Sequence, residues 1–306
     1  MKIAIIGRSE VLYETTLRLH NAGHEITCIL TAKESPEYTR KAGDFEALAD
    51  KLGVPFTIGS NISKFNDFLA NSQSEIAVSV NFSRIIPQSI IDIFPLGILN
   101  AHGGDLPKYR GNACQAWAIL NGESEIGLCV HKMVGDELDS GDIITRSYFE
   151  IGQYTKITSV YEWIKLETPL LFLQAVDKLK ADSSYILEKQ SINTNDIIRT
   201  YPRQPDDGRI LWNMTATYIL RLINASNKPY SGAFFLFNHK KIIAWDAKIS
   251  TDNEIFYAIP GQITKITNEF TEVACGEGKI RLIELEEDGK VIKHKDLFKS
   301  LRDRLG

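Results

Sequence analysis

Short, fully apolar runs alternate with amphipathic ones through the first half of the chain. Lys2–Ile6 is a compact apolar run closed by Gly7, which predicts a buried strand; Ser9 is placed to cap a helix reaching to about residue 22, where Gly23 ends it. Glu25–Leu30 predicts the next strand, Phe45–Leu52 a helix broken by Gly53-Val54-Pro55, and Phe65–Ala70 a further helix. Ile76–Val80 and Gly97–Ala101 are two more apolar strands. Strands of this kind, alternating with helices, predict a mostly parallel sheet covered on both faces, an α/β Rossmann-like core. Thr158–Leu179 continues with a long apolar helical pattern that Pro169 should kink or split.

From about residue 182 to 209 the pattern turns polar and irregular, ending in YPRQPDDGR, as a linker or a loop flanking a site would. One helix follows at Asn213–Ala225. Five short runs of β character come next, at Ala233–Phe237, Ile242–Ala247, Gly261–Thr267, Glu272–Cys275 and Lys279–Glu284. They predict a smaller β-rich domain, a barrel or sandwich of OB-like kind. The expected division is 1–200, including the linker, and 201–306.

Composition narrows the class. Hydrophobic residues make up 43% and charged residues 24% of the 306, the profile of a soluble globular protein, and no apolar run approaches the ~18 residues of a membrane span. The N-terminus turns polar too early for a signal peptide, so a cytoplasmic location is expected. Cys28, Cys114, Cys129 and Cys275 are scattered, without metal-ligand spacing, and read as buried thiols; no metal is expected. A net charge of −4 argues against a partner held through many phosphates, so no nucleic acid is expected. The turn after the first strand, GRSEVL, lacks the glycine fingerprint of a dinucleotide site.

The chemistry is concentrated in LGILNAHGGDLPKYRGN (96–112) and HKMVGDELDSGDI (131–143). Asn100 and His102, two apart at the end of a strand, leave the same face roughly 6–7 Å apart, beside the carboxyl end where ligands collect in an open α/β sheet. Asp139 lies in the second, turn-rich loop. Taken singly, Asn and Asp in loops are turn residues and a His is a structural one; His20, His24, His131, His239 and His294 keep that reading, as do Asp136 and Asp142 as turn or supporting carboxylates. Together, an amide donor, an imidazole and a carboxylate suit acyl transfer between nitrogens. The amide stabilises an oxyanion, the imidazole moves protons, and the carboxylate orients the imidazole and raises its pKa.

N-A-H-G-G-D-L-P-K-Y-R-G, with L-D-S-G-D about thirty residues on, resembles the formyltransferase family, which includes methionyl-tRNA, glycinamide ribonucleotide and nucleotide-sugar N-formyltransferases. The likeness runs the length of the chain: Asp207–Trp212, PYSGAFF (229–235), PGQI and ACGEGKIRL resemble the family's C-terminal domain. It implies Asn100, His102 and Asp139 as catalytic residues and 10-formyltetrahydrofolate as donor. The pterin is then expected against Phe82, Ser83, Arg84, Ile85 and Ile86 and against Val134, Gly135, Asp136, Glu137 and Leu138, with Asn112 where some relatives place a folate-contacting Arg. PYSGAFF and the lack of a basic insertion after Thr31 favour a nucleotide-linked amino sugar as acceptor, with methionyl-tRNA as the alternative. Lys108 and Arg110 either meet its diphosphate or are solvated bystanders; Tyr109 either packs in the core or stacks on sugar or base. The resemblance also implies a homodimer.

Overall fold

The computed structural model describes residues 1–36, 38–252 and 254–306. They form two compact units. The first comprises Met1–Cys114, Ile126–Phe149 and Tyr161–Thr200, and the second Gln115–Glu125, Glu150–Val160 and Tyr201–Gly306. Two short segments within 1–200 therefore group with the later residues.

Among the described residues, strands run in chain order as β1 (Lys2–Gly7), β2 (Glu25–Thr31), β3 (Phe56–Ile58), β4 (Ile76–Val80), β5 (Ile98–His102), β6 (Arg110–Gly111), β7 (Glu125–Lys132), β8 (Ile143–Glu150) and β9 (Arg199–Thr200). Seven of them make one sheet, ordered β3-β2-β1-β4-β5-β7-β8, and β6 pairs with β9 separately. The pairs among β1 to β5 are parallel, while β5 and β7 are antiparallel, so the sheet is mostly parallel. Alternation divides the core between its faces. Ile3, Ile5, Ile76 and Val78 join one cluster with the helices Glu10–Asn21 and Ala42–Leu52; Ala4, Ile6 and Ala77 join the other with Ile86, Ile90 and Phe94.

Ser9 does not cap its helix, and Pro169 does not split the one it sits in. Ser9 stands at the cap position of helix Glu10–Asn21, but its φ of 92° leaves the hydroxyl without a capping bond. The helix Ile157–Ala181 runs unbroken through Pro169. Leu171, Phe172, Ala175, Val176 and Leu179 beyond the proline are all buried in the core, and that burial carries the helix past the missing donor.

The second unit is an antiparallel sheet of six strands: β10 (Ala233–Phe237), β11 (Lys240–Ile249), β12 (Ile263–Ile266), β13 (Thr271–Ala274), β14 (Lys279–Glu287) and β15 (Lys290–Ile292). The order is β10-β11-β14-β13-β12, with β15 on β14. One of its helices, Ala216–Ala225, begins after Thr215, whose side chain accepts the Tyr218 N–H at 3.1 Å, and buries Ile219, Leu220, Leu222 and Ile223. No helix among the described residues is long and apolar enough to cross a membrane.

Candidate active site

A cleft of about 440 Å³ opens beyond the carboxyl ends of β4 and β5 in the first unit. Asn100 and His102 reach it from β5 and Asp139 from the loop after β7. Along β5 the two residues share a face. The antiparallel register places His131 opposite Asn100 and Cys129 opposite His102.

His102 is almost wholly buried. Its Nε2 lies 2.6 Å from the Tyr109 carbonyl and its Nδ1 3.4 Å from Asp139 Oδ2. The Tyr109 carbonyl can only accept, so Nε2 carries a proton, and Asp139 beside Nδ1 favours the second proton that makes the ring an imidazolium. Burial opposes that charge most strongly. Asp139, together with Cys114 and the Tyr109 carbonyl, outweighs it and pushes the pKa up to about 9. Asp139 answers in kind. Its own burial works to raise the carboxyl, but His102, first, and the Gly111 N–H, which donates to Oδ2 at 3.0 Å, hold it at about 2.

The backbone is shaped around this pair. Tyr109 has φ 57°, which turns its carbonyl toward the imidazole. Gly104 admits the contact, because a Cβ there would lie 2.6 Å from His102 Nε2 and 2.5 Å from the Tyr109 oxygen. Asp139 sits at φ 53° in a loop stapled by Gln190, whose amide nitrogen donates to the carbonyls of Asp139 at 2.9 Å and Gly141 at 2.6 Å.

His131 is a participant that sequence reasoning left as structural. Its Nδ1 is 2.9 Å from the Lys132 carbonyl and donates to it, so its Nε2 accepts from Asn100 Nδ2 at 3.3 Å. That bond orients the Asn100 amide and leaves its second N–H for a ligand in the cleft. The only signal in the sequence was a polar residue at the end of the apolar run Ile126–Val130; the pairing that gives it meaning spans 31 residues.

The expected folate contacts divide. Phe82, Ser83, Arg84, Ile85, Asn112, Val134, Glu137 and Leu138 line the cleft. Ile85 is 56% exposed and Val134 38%, an apolar surface open to a flat ring. Ile86 is outside the lining: its side chain is fully buried with Ile90, Ile91 and Phe94. Gly135 and Asp136 lie outside the lining. Gly135 donates its N–H to Gln88 Oε1 at 2.8 Å, and Asp136 makes a left-handed turn with φ 60°.

Lys108, Tyr109 and Arg110 are not among the residues that line the cleft. Arg110 donates from Nε and Nη2 to Gln190 Oε1, at 3.2 and 2.7 Å, and so braces the Asp139 loop through that side chain. Lys108 is exposed and outside the cleft lining. Tyr109, only 3% exposed, packs in the core and offers the site its carbonyl. Arg199, which the sequence did not single out, lines the cleft instead.

Residues 1–176 match the family described as formyl transferase, and residues 203–302 match the formyl transferase C-terminal domain. Among solved structures, the fold is similar to an N-formyltransferase from Helicobacter canadensis in complex with folinic acid and dTDP-3-aminofucose. That likeness has 18% identity and a TM-score of 0.69, over 92% of this chain and 99% of that one. WlaRD, a sugar 3N-formyl transferase, is similar at 18% identity and TM-score 0.66, over 95% and 98% of the two chains. HypX from Aquifex aeolicus with tetrahydrofolic acid is similar at 16% identity and TM-score 0.61 over 98% of this chain, which spans about half of HypX, 47%.

Proposed function

This chain belongs to the formyl transferase family, and from that premise we propose that it transfers a formyl group from 10-formyltetrahydrofolate to the amine of a nucleotide-linked amino sugar. The observation that carries the chemistry is the convergence of Asn100, His102 and Asp139 on one cleft with an apolar wall at Ile85 and Val134. The sugar acceptor is supported by the two full-length likenesses, one to a complex with folinic acid and a dTDP-amino sugar and one to a sugar 3N-formyl transferase determined with dTDP and 5-N-formyl-THF.

The reaction joins the acceptor nitrogen to the formyl carbon and breaks the bond from that carbon to the carrier nitrogen. Asn100 donates its amide N–H to the oxygen that gains negative charge as the amine adds. His102 begins as an acid. Its proton goes to the departing nitrogen, and the neutral ring then takes the proton that the new amide nitrogen must lose. The ring is regenerated and one proton has moved from acceptor to carrier. Asp139 stabilises the imidazolium and fixes the ring, and His131 aims the Asn100 amide.

The deciding experiment presents a panel of nucleotide-linked amino sugars beside charged initiator tRNA, with 10-formyltetrahydrofolate as donor. Transfer to an amino sugar is the expected result. Formylation of tRNA with every sugar inert would overturn the acceptor assignment. Ionic strength provides a second discriminant. Turnover of a diphosphate-linked sugar should weaken modestly with salt, whereas a substrate held by many phosphates loses orders of magnitude.

A further inference from the structure

We propose that Arg8 is a positioning residue for the formyl donor: it holds the arch Asn81–Ile85 in the shape that receives the pterin. The inference rests on the folate-dependent reading above and names what sets the donor wall in place.

The arch leaves the carboxyl end of β4 and lines the cleft with all five of its residues, Asn81, Phe82, Ser83, Arg84 and Ile85. Its far end is anchored in the core, because Ile86 is fully buried with Ile90 and Phe94. Phe82 is half-buried, but Ser83, Arg84 and Ile85 are exposed, so apolar burial fixes little of the arch between its ends. At the near end Asn81 is exposed and takes a left-handed φ of 53°, a turn that asparagine tolerates at some cost in backbone strain. Neighbouring groups must hold it there.

Arg8 supplies the hold. Strand β1 lies between β2 and β4 in the sheet, so the residue that follows it can reach the ends of both neighbours. Arg8 Nε donates to the Asn81 carbonyl at 2.9 Å, and Nη1 donates to the Lys33 carbonyl, just beyond β2, at 2.7 Å. Its backbone N–H donates to the Val80 carbonyl at 3.0 Å. That approach requires Gly7, with φ 131°, since a Cβ there would strike the Val80 oxygen. The guanidinium also lies over the Tyr38 ring, 5.6 Å from its centroid. A planar fork serves two carbonyls at once in a fixed geometry, which a point-like ammonium does not. The turn GRSEVL, which lacks the glycines of a dinucleotide site, thus carries a side chain that links three strand ends beside the cleft. Arg8 is not among the lining residues, so it acts on the donor through the arch. A wall already in shape leaves less ordering for the ligand to impose. Its loss should weaken donor binding and leave Asn100, His102 and Asp139, and with them the chemical step, as they are.

The test compares the full chain with Arg8→Met, which keeps an aliphatic stem and loses the donors, and with Arg8→Lys. Calorimetry with folinic acid should show affinity roughly tenfold weaker in Arg8→Met and partly recovered in Arg8→Lys. In turnover with the acceptor found in the panel above, KM for 10-formyltetrahydrofolate should rise by a similar factor in Arg8→Met, while kcat at saturating donor stays near the parent value. Hydrogen exchange read by mass spectrometry, without ligand, should quicken in Arg8→Met for peptides within 80–86 and stay unchanged in β5 and β7. Should Arg8→Met not fold, Arg8→Lys decides, with a loss of about threefold expected and parent affinity overturning the inference. Folinic acid affinity in Arg8→Met equal to the parent's overturns the inference and leaves the donor reading intact. Exchange that quickens evenly across the unit overturns it too, because Arg8 would then support the fold at large. A fall in kcat at unchanged donor affinity has the same force. A parent that binds no folinic acid removes the donor reading and this inference together.

Discussion

Two of the places where the described residues bury ionic groups are built to opposite ends. In the second unit Lys279 is 4% exposed and Glu272 only 2%. The Lys279 ammonium has Asp252 and Glu254 at 2.8 Å each and Glu272 at 3.3 Å. Glu272 also accepts from Ser250 at 2.6 Å, Arg281 at 2.9 Å and Thr264 at 3.0 Å. Burial works to lower the lysine and is overcome by the hydrogen bonds it donates to Asp252, Glu254 and Glu272, which raise it. Every charge there is answered at close range. In the first unit His102 and Asp139 are 3.4 Å apart, His131 and Asp139 3.7 Å, and all three border a cleft. Buried charge alone therefore does not mark a reacting centre. What marks it is ionised groups held at slightly long range, with donor capacity left over and a path to a ligand.

The largest effect that would break this contrast lies in the saturated cluster. Lys279→Ala should destabilise the second unit by about 3–5 kcal/mol, because it leaves Glu272 buried with one fewer partner. At a temperature where the variant stays folded, kcat should remain near the parent value. Thermal unfolding and turnover, measured together, check this; a selective fall in kcat without a fall in stability would put catalytic work where the contrast denies it. The reactive cluster should behave in reverse. His102→Ala and Asn100→Ala should each reduce turnover at least about 100-fold, the scale of a lost acid–base group or oxyanion donor. Asn100→Ala should leave the unfolding midpoint near the parent value, whereas His102→Ala also lowers it, because Asp139 is left buried without its cation. Near-normal kcat in both would remove the assignment of this cleft.

Smaller effects sharpen which parts of the first unit act directly. Ile85→Asp places a carboxylate on the exposed apolar wall and should weaken folinic acid binding about tenfold or more, read by calorimetry. Ile86→Asp would instead bury a charge in the core and damage the fold, so only Ile85 is informative. Gln190→Ala removes the staple between the Asp139 loop and Arg110. It should lower kcat roughly tenfold with folinic acid affinity retained, the signature of a positioning residue.

The same contrast explains what was legible in the sequence. Strands β1, β2, β4 and β5 are continuous apolar runs with glycine breaks, so their period and limits could be read directly. Asn100 and His102 were legible because strand alternation alone puts them on one face. His131 was not, because its meaning depends on an antiparallel register with β5 that no local pattern encodes. Arg110 and Arg199 look alike as loop cations, and only the Gln190 carboxamide, 80 residues from Arg110, separates brace from cleft lining. Ile85 and Ile86 are neighbours of identical chemistry, and the turn of one loop decides which faces the ligand. Strand β15 was missed because only three residues define it, and its pairing with β14 is what makes it a strand.

The smallest effect is the most discriminating, because it follows the sign of the ionisation itself. The folded-state pKa of His102 lies above its ordinary value, at about 9. The stability it contributes is therefore fully present below about pH 6.5 and lost as pH rises through about 9. Asp139 is depressed to about 2, so its contribution is present above about pH 3.9 and lost only as pH falls through about 2. The second unit's cluster has Lys279 raised and Asp252 and Glu272 lowered, which places its titrations outside the neutral range. His24 and His294, both lowered mainly by burial, act below about pH 6.5. The thiols of Cys28, Cys129 and Cys275, raised by burial, enter only as unfolded cysteine ionises, above about pH 8. Between about pH 6.5 and 8, then, the first unit should lose stability with rising pH, by at most about 1.4 kcal/mol per pH unit for the single proton of His102. The second unit should hold steady. Proteolysis in urea across this window, with peptides of each unit identified by mass, measures both slopes. His102→Gln should flatten the first slope and leave the second alone. Equal slopes in the parent and His102→Gln would show that the ring is not held as an imidazolium, and its role as the initial proton donor would have to be given up.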